Sequence, residues 1–437
     1  MNVNRRKKLL LLAIIGSMGP LVPALDFTKF NLSVDLLALA ARSMALSGSV
    51  LLMWEYILTA RALVVKIVPD TAWVQRIHRR IGHLAVYLIG GHFIFITIFY
   101  AQSRGINLLN FLFNRPEQFY KNMGILSLLL IVVLVITSIT LRSKLSFRSW
   151  HKLHLTSYLV LPLALIHNLG LAREDVPISA NWYWYLMTFI YVCFLVYMYL
   201  FSRGKLKQRY EIQLVDKEAV KVVNIHLLPE SSRDRFAVHP GQYIYVQRQG
   251  SLESHPFSIS KFDHSTGLIS IAPKALGPFS GAIQHMQAGE VVYVDGPYGN
   301  FTEEIYTSRR PVVLLAGGIG IVPFLPTLYR LAEGMNREII LFYGNNTEAE
   351  IAFNDELAEI RSKAPSLKVV YVIRDNQNSM YETGFITLEI LQKYLGNDVA
   401  KYEFFVCGPP VMMSNLQKAL AAAQVPQNQI HTEAFSA

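Results

Sequence analysis

The stretch from His78 to His92, HRRIGHLAVYLIGGH, carries three histidines in an otherwise largely apolar run. A second stretch, HLTSYLVLPLALIH from His154 to His167, begins and ends with histidine. Ionisable side chains are costly inside a bilayer and usually serve a function there. Because a b-type haem is held by two facing imidazoles from different helices, two matched pairs predict two haems stacked across a membrane.

Helical geometry favours one set of ligands. His78 and His92 are 14 residues apart, which gives a rise of about 21 Å and leaves their directions within about 40°. His154 and His167 are 13 apart, with a matching rise of about 20 Å but directions about 140° apart on a straight helix. Pro162 lies between them, and a proline kink can re-aim half of a span. These spacings favour His78 with His92 and His154 with His167 over pairs that use His83 or His151.

The composition indicates a membrane protein with a soluble half. Hydrophobic residues make up 52% of the 437 and charged residues only 16%, against about a quarter in soluble domains. Apolar runs long enough to cross a hydrocarbon core of about 30 Å stop near residue 202. We predict six spans, near residues 9–25, 36–60, 81–100, 122–141, 153–170 and 183–202. The first run also resembles a signal peptide, but no clear small-residue cleavage site follows it, so we retain it as a span.

The basic residues predict the orientation. Seventeen Lys and Arg flank one side of the six spans and five flank the other. The positive-inside rule then places both termini, and the soluble half, in the cytoplasm, as in a multi-pass protein of the inner (cytoplasmic) membrane. This clustering beside lipid also accounts for the net charge of +10, so we expect no nucleic-acid partner. The two cysteines, Cys193 and Cys407, form no disulfide or zinc pattern.

Short alternating strands between residues 206 and 303 predict a small antiparallel barrel. Four turn-rich segments punctuate it, and each alone could be an ordinary turn that enters a strand. They are His239–Tyr243 (HPGQY), His255–Ser260 (HPFSIS), Lys274–Ser280 (KALGPFS) and Asp295–Gly299 (DGPYG). Main-chain N–H groups and Ser hydroxyls such as these are suitable donors to an anionic diphosphate.

From Pro311 onward the pattern changes to alternating strands and helices, which predicts a doubly wound α/β sheet. The buried strand Val312–Ala316 leads into GGIGIVP, residues 317–323. This is not the GxGxxG dinucleotide fingerprint, since Pro323 takes the last position, but glycines and a helix start serve the same purpose beside a pyrophosphate. Another strand, Glu403–Val406, ends in Cys407-Gly-Pro-Pro410.

Together these motifs resemble the ferric reductase and NADPH oxidase superfamily, of the bacterial type. His78-Arg79-Arg80-Ile81-Gly82 with His92 is similar to its third span, and Trp150-x-x-Leu153-His154 with Tyr158 and His167 to its fifth. The four segments of the barrel resemble, in their order, the FAD domain of the ferredoxin-reductase family. The resemblance implies a six-helix transmembrane haem domain (residues 1–204), an antiparallel FAD-binding β-barrel (205–305) and an NAD(P)H-binding α/β domain (306–437).

The resemblance also implies a role for individual residues. His78 and His154 would bind the inner of two b-type haems, and His92 and His167 the outer; Arg42 would lie near the outer one. His255, Pro256 and Phe257 would hold FAD, the Ser258 hydroxyl would reach the N5 edge of the flavin, and Gly277 and Ser280 would meet its pyrophosphate. Residues implied for the nicotinamide nucleotide are Gly317, Gly318, Gly320, Pro323, Cys407, Gly408 and Pro409. Cys407 would lie beside the nicotinamide C4, and Phe435, in Glu433-Ala-Phe435, would cover the flavin until the nicotinamide displaces it.

The implied activity is electron transfer across the membrane. Hydride from NAD(P)H would reduce FAD, and electrons would pass singly through both haems to an acceptor on the opposite face, either Fe(III) or O2. Ile96 stands where oxidases of this family often have a further histidine, which counts against a dedicated oxygen site. The choice between NADH and NADPH stays open, because the second strand ends in Gly344-Asn345-Asn346 and the nearest cation is Arg374. The alternatives are a haem-bearing relay subunit that reduces a partner protein, or a transporter with a degenerate cytoplasmic domain.

Overall fold

The chain forms two compact units, Met1–Tyr199 and Leu200–Ala437, in a computed structural model. The residues that the structure describes are 3–18, 35–68, 70–105, 107, 118–142, 144–175, 178–375 and 380–433.

The described residues of the first unit form helices joined by short turns. Its helices are α1 (Val3–Gly16), α2 (Asp35–Thr59), α3 (Arg61–Ile67), α4 (Thr71–Arg104), α5 (Gln118–Val135), α6 (Phe147–His154), α7 (Val160–Asp175) and α8 (Ile178–Ser202). A π-helical turn, Ile136–Thr140, follows α5, and a 3-10 segment, Leu155–Leu159, joins α6 to α7.

Five apolar stretches of these helices are long enough to cross a membrane: Leu36–Thr59, Trp73–Ser103, Phe119–Thr140, Ser149–Gly170 and Tyr183–Ser202. They match the second to sixth predicted spans. Large apolar side chains on them are exposed, such as Phe189 and Leu129, as expected of helices that face lipid. The first predicted span, 9–25, begins in α1, but positions 19–25 lie outside the described residues, so this span stays a prediction.

Glycines set the close packing of α2 on α4. A Cβ on Gly48 would lie 2.8 Å from Ile89 Cγ1, and one on Gly91 would lie 2.7 Å from Met44 Sδ. Small residues at helix contacts let backbones approach closely in membranes, where burial in lipid gives no hydrophobic driving force for association. This contact fixes α4, which carries His78 and His92, against α2.

The start of α4 is tied to the N-terminal helix. The Asp70 side chain caps α4 by accepting from Trp73 N at 2.9 Å, and Lys7 Nζ lies 2.6 Å from Asp70 Oδ2. Burial raises the pKa of the Asp70 carboxyl, but the Lys7 ammonium and the Trp73 N–H outweigh it and lower that pKa. Two of the basic segments used to predict orientation therefore lie at the same end of the bundle. The side of the membrane on which that end lies remains a prediction.

The second unit begins with the predicted barrel. Six strands close it in the order β1-β2-β5-β4-β3-β6. They are β1 (Gln208–Ala219), β2 (Val222–Pro229), β3 (Tyr243–Arg248), β4 (Ser254–Phe262), β5 (Ile269–Ile271) and β6 (Val291–Tyr298), with the short helix α9 (Pro278–Ile283) between the last two. Fully buried alternate residues such as Tyr210, Ile212, Val292 and Val294 fill its centre.

A parallel sheet of six strands, in the order β10-β9-β8-β7-β11-β12, completes this unit. Its strands are β7 (Val312–Gly317), β8 (Ile339–Asn345), β9 (Leu367–Ile373), β10 (Glu382–Thr383), β11 (Glu403–Cys407) and β12 (Ile430–Glu433). Its helices are α10 (Glu303–Thr307), α11 (Leu325–Ala332), α12 (Asn354–Lys363), α13 (Leu388–Leu395) and α14 (Pro410–Ala422). The glycine segment after β7 forms a 3-10 helix, Gly318–Phe324, before α11 begins. The predicted fold class is confirmed: apolar helices, an antiparallel barrel and a doubly wound sheet.

Candidate functional site

The predicted outer pair of histidines meets inside the helical unit. The ring centroids of His92 and His167 are 6.4 Å apart and the ring planes cross at 70°. Metal–imidazole bonds are about 2.0–2.1 Å, so two rings on opposite sides of one metal have centroids about 6 Å apart. The observed separation fits this requirement.

Both of these rings are held through the same nitrogen. His92 Nδ1 lies 2.9 Å from the carbonyl oxygen of Ala41, and His167 Nδ1 lies 3.0 Å from that of Tyr120. When Nδ1–H donates to a carbonyl, the tautomer is fixed and Nε2 keeps the lone pair that a metal needs. The two backbone carbonyls therefore prepare both imidazoles as ligands.

A cavity that is open on one side surrounds this pair. Its lining is largely apolar, with Ile89, Phe93 and Ile96 from α4 and Leu128 from α5. Polar groups line it as well, among them Lys121 and Asn168. An apolar chamber with a few polar groups is the usual form of a cofactor site.

Gly124 on α5 makes room for the ring of His167. A Cβ at this position would lie 2.6 Å from His167 Nδ1, 2.8 Å from Cε1 and 2.9 Å from Cγ. These distances are shorter than van der Waals contact, so only glycine leaves the imidazole in its place. No motif in the sequence marks Gly124 as a site residue.

The predicted inner pair has different partners. His78 Nδ1 lies 2.9 Å from Glu55 Oε2. His154 Nδ1 lies 3.4 Å from the Ser138 hydroxyl, which also accepts from Trp150 Nε1 at 3.3 Å. The His154 ring stacks on Trp150 with centroids 4.8 Å apart. All four predicted ligands thus have Nδ1 within 3.4 Å of an oxygen atom, which fits histidines that would ligate a haem iron through Nε2.

The 3-10 segment Leu155–Leu159 removes the angular difficulty of the fifth span. A 3-10 helix turns about 120° and rises about 2.0 Å per residue, against about 100° and 1.5 Å in an α-helix. With five such residues, the step from His154 to His167 becomes about 1400° and about 22 Å. The 14 α-helical residues from His78 to His92 also turn about 1400°. The two spans present their histidines in the same phase.

The change in histidine direction that we expected near Pro162 therefore comes from a change of helix type, from α to 3-10. Pro162 has no N–H to donate to the carbonyl of Tyr158. Instead the Tyr191 hydroxyl donates to Tyr158 O, and the Tyr56 hydroxyl donates to Ser157 O. In lipid each backbone carbonyl needs such a partner, so the two tyrosines stabilise the 3-10 segment.

In the barrel, the His-Pro-Phe-Ser segment forms the first part of β4. Ser258 lies opposite Tyr243 of β3 and is buried. Its hydroxyl oxygen has no hydrogen-bond partner among the described residues. The His255 ring stacks on Phe279 with centroids 4.1 Å apart, and Phe257 also lies along Phe279. A buried hydroxyl without a partner beside a row of aromatic rings fits a flat, hydrogen-bonding ring such as a flavin.

The predicted pyrophosphate segment has hydrogen bonds of its own. Ser280 Oγ accepts from the N–H groups of Leu276 and Gly277 at 3.0 Å and donates to Gly277 O at 3.2 Å. These bonds shape the start of α9. The contact of Gly277 and Ser280 with a diphosphate stays a prediction.

The two nucleotide turns touch each other at the carboxyl edge of the sheet. β7 and β11 are neighbours, with Ala316 opposite Cys407. A Cβ on Gly320 would lie 2.2 Å from the carbonyl oxygen of Cys407, so a side chain there would collide with backbone. Cys407 is fully buried, and that burial raises the pKa of its thiol well above the usual range.

Glu433, the first residue of the Glu433-Ala-Phe435 motif, reaches the same place. It lies opposite Cys407 on β12, and its Oε1 is 3.6 Å from where a Cβ on Gly299 would be. Gly299 in turn lies beside Tyr243, the neighbour of Ser258. The flavin and nicotinamide motifs therefore converge. Burial raises the pKa of the Glu433 carboxyl to about 8. Phe435 lies outside the described residues.

Lys274, the first residue of the third barrel motif, connects the barrel to the sheet. Its Nζ lies 3.1 Å from Glu350 Oε2 and 3.9 Å from where a Cβ on Gly318 would be. A cation beside the glycine turn suits a pyrophosphate. Sequence alone did not show this contact, because the two residues are distant along the chain.

Two known families match separate parts of the chain. Residues 44–165 match the family described as ferric reductase like transmembrane component. Residues 314–418 match the oxidoreductase NAD-binding domain. The chain joins a ferric-reductase-like membrane domain to a ferredoxin-reductase-like module. This fusion is an electron-transfer oxidoreductase with FAD and nicotinamide nucleotide chemistry.

Curated relatives match part of the chain. The chain is 28% identical over 240 residues to the reductase component of propane 2-monooxygenase of Mycolicibacterium smegmatis; the alignment covers 52% of this chain and 67% of that protein. It is 30% identical over 206 residues to the 2-halobenzoate 1,2-dioxygenase electron transfer component of Burkholderia cepacia, covering 45% of this chain and 58% of that one. The flavohem-like FAD/NAD binding domain of nitric oxide dioxygenase from Vibrio cholerae O1 biovar El Tor aligns with a TM-score of 0.47 at 25% identity, over 52% of this chain and 98% of that one.

Proposed function

We propose that this protein moves electrons from cytosolic NAD(P)H, through FAD and two b-type haems, to an acceptor on the opposite face of the membrane. The observation that carries the proposal is the preparation of His92 and His167: ring centroids 6.4 Å apart, each Nδ1 at a carbonyl. Because each Nδ1 is held by a carbonyl, Nε2 is the nitrogen that each ring would offer to an iron.

The glycine turn would bind the nicotinamide nucleotide. Gly320 brings this turn against the Cys407 backbone, and the Lys274 ammonium lies beside Gly318. The dinucleotide would thus meet backbone N–H groups and one cation. The buried Cys407 thiol, kept neutral by its raised pKa, would pack against the nicotinamide without adding charge.

FAD would lie along β4. His255, Pro256 and Phe257 would hold it, and the free hydroxyl of Ser258 would donate to its N5 edge. Bound FAD supplies the change from two-electron to one-electron chemistry, and haem iron supplies one-electron carriers. Glu433, neutral below about pH 8, would keep negative charge away from the site when a reduced, anionic nucleotide enters.

In the membrane, His78 and His154 would ligate the inner haem, and His92 and His167 the outer haem. The two levels lie about 21 Å apart by helical rise. The largely apolar lining around His92 and His167 would limit the contact of the outer haem with water, and the edge of that haem would meet the acceptor. Either Fe(III) or O2 fits this role, and Ile96, which lines the chamber, gives oxygen no side-chain partner.

The proposal is tested with purified full-length protein loaded with FAD and haem. We expect two haems per chain, and reduction of both by NADH or NADPH without added protein. Absence of a Soret band, or haem that nucleotide leaves oxidised, would overturn the proposal; haem reduction that needs a partner protein would favour the relay alternative. Superoxide-dependent cytochrome c reduction identifies oxygen as the acceptor. Ferric chelate reduction that persists without oxygen identifies iron.

A further inference from the structure

Glu55 is the single acidic side chain in the sequences of the five candidate membrane spans. It lies on α2, with 15% of its side chain exposed, and its Oε2 is 2.9 Å from His78 Nδ1. A Cβ on Gly82 would lie only 3.1 Å from the same oxygen, so the α2–α4 contact leaves room for the carboxylate. An ionisable residue in a span is costly and calls for a functional explanation.

The other three predicted ligands have uncharged partners. His92 and His167 lie at the peptide carbonyls of Ala41 and Tyr120, and His154 lies at the Ser138 hydroxyl. The carboxylate is therefore confined to one level of the bundle. The two predicted haem sites have the same kind of ligand, a pair of histidines, but they differ in the groups that lie at the Nδ1 atoms of those histidines.

A carboxylate behind a ligating imidazole has two electrostatic effects. It raises the basicity of the ligand, which favours the higher oxidation state of the metal. Its negative charge also opposes the arrival of an electron, and this repulsion is strong where the dielectric constant is low. A peptide carbonyl has the first effect weakly and lacks the second. The charge and the dielectric surroundings behind an axial ligand are recognised means of setting a haem potential.

We propose that Glu55, acting through His78, holds the inner haem at a lower reduction potential than the outer haem. This rests on the proposed function, since it requires both haems. The step concerned is one electron passing from ferrous iron at the inner level to ferric iron at the outer level, with no proton moved and no bond broken. The Glu55 carboxylate shifts the equilibrium of this electron transfer in favour of the reduced outer haem, the one nearer the acceptor.

The test is a spectroelectrochemical titration of the full-length, haem-loaded protein and of Glu55→Gln, which keeps the shape and removes the charge. We expect the lower midpoint potential to rise and the higher one to stay, so that the two approach each other. Mutation of an outer-shell partner of a metal ligand typically changes metal affinity or activity by a factor of 10 or more, and we expect an effect of similar size on the equilibrium between the haems. A tenfold change in the equilibrium between the haems corresponds to about 59 mV for one electron.

Asp70→Asn is the matched control. It removes one negative charge at the start of α4, where Asp70 contacts Lys7 and Trp73 N, and Asn caps a helix as well as Asp does. Both potentials should stay at the wild-type values. Glu55→Asp retains the charge at a greater distance from His78 and should give a smaller rise than Glu55→Gln.

Two haems with unchanged potentials in Glu55→Gln would overturn the inference and leave the proposed function standing. Wild-type protein without haem would overturn the proposed function itself. If Glu55→Gln loses the inner haem, Glu55→Asp decides: a raised lower potential supports the inference, and an unchanged one contradicts it.

Discussion

Replacing Gly124 with alanine is the sharpest test of the outer haem site. The new Cβ would lie 2.6 Å from His167 Nδ1, whereas nonbonded atoms prefer about 3.5 Å, so the ring must retreat by about 0.9 Å. Metal–ligand distances tolerate only about 0.2 Å. We therefore expect Gly124→Ala to lose the outer haem and to keep the inner one, with haem content falling from two to one per chain.

The assay is haem content together with a redox titration. Gly124→Ala should show one titrating component where the wild type shows two. Gly90→Ala is the control, because Gly90 is also a helical glycine of the bundle but no atom of the described residues lies within 4 Å of its added Cβ; it should retain both haems. A Gly124→Ala protein with two haems at wild-type potentials would refute the reasoning.

Four further substitutions test the remaining assignments. Pro162→Ala restores an N–H to the fifth span, so we expect an α-helical Leu155–Leu159, histidines about 100° out of phase and loss of one haem; two retained haems would contradict this. His92→Leu should lose the outer haem alone, and full haem content would exclude His92 as a ligand. Cys407→Ala should slow flavin reduction in stopped-flow traces while FAD stays bound, and an unchanged rate would remove the thiol from the site. Because the Glu433 pKa is raised from 4.5 to about 8, the folded state holds an extra proton between these values, so stability should fall as pH rises through that range; Glu433→Gln should flatten this fall in melting temperature, and parallel curves would refute it.

Local patterns in the sequence were enough for most of the architecture. The second to sixth spans, the barrel strands and the sheet strands depend on hydrophobic runs and alternation, which are properties of neighbouring residues. The convergence of the Ser258 and Cys407 motifs was not predicted from local patterns; the resemblance implied only that one meets the flavin and the other the nicotinamide. Site residues such as these were predicted from resemblance, and the structure adds the geometry that makes their roles testable.

What the sequence did not reveal depends on contacts between distant segments. The 3-10 segment needs the hydroxyls of Tyr56 and Tyr191, which come from two other helices. The rule that ionisable residues in spans are functional could have identified Glu55, since it is the lone acid there, but its partner His78 could not be foreseen. Glu433 lay in a quoted motif, yet its burial beside Cys407 depends on the pairing of β11 with β12.

The chain turns by about 1400° both from His78 to His92 and from His154 to His167. This equality limits the insertions and deletions that the two segments can tolerate. One span reaches this rotation with 14 α-helical residues and the other with 13, five of them in the tighter 3-10 form. A single insertion or deletion between either pair would swing one imidazole by roughly a quarter of a circle. Side chains on these segments can therefore be exchanged far more freely than residues can be added or removed, and grafts or splice points belong in the connecting loops.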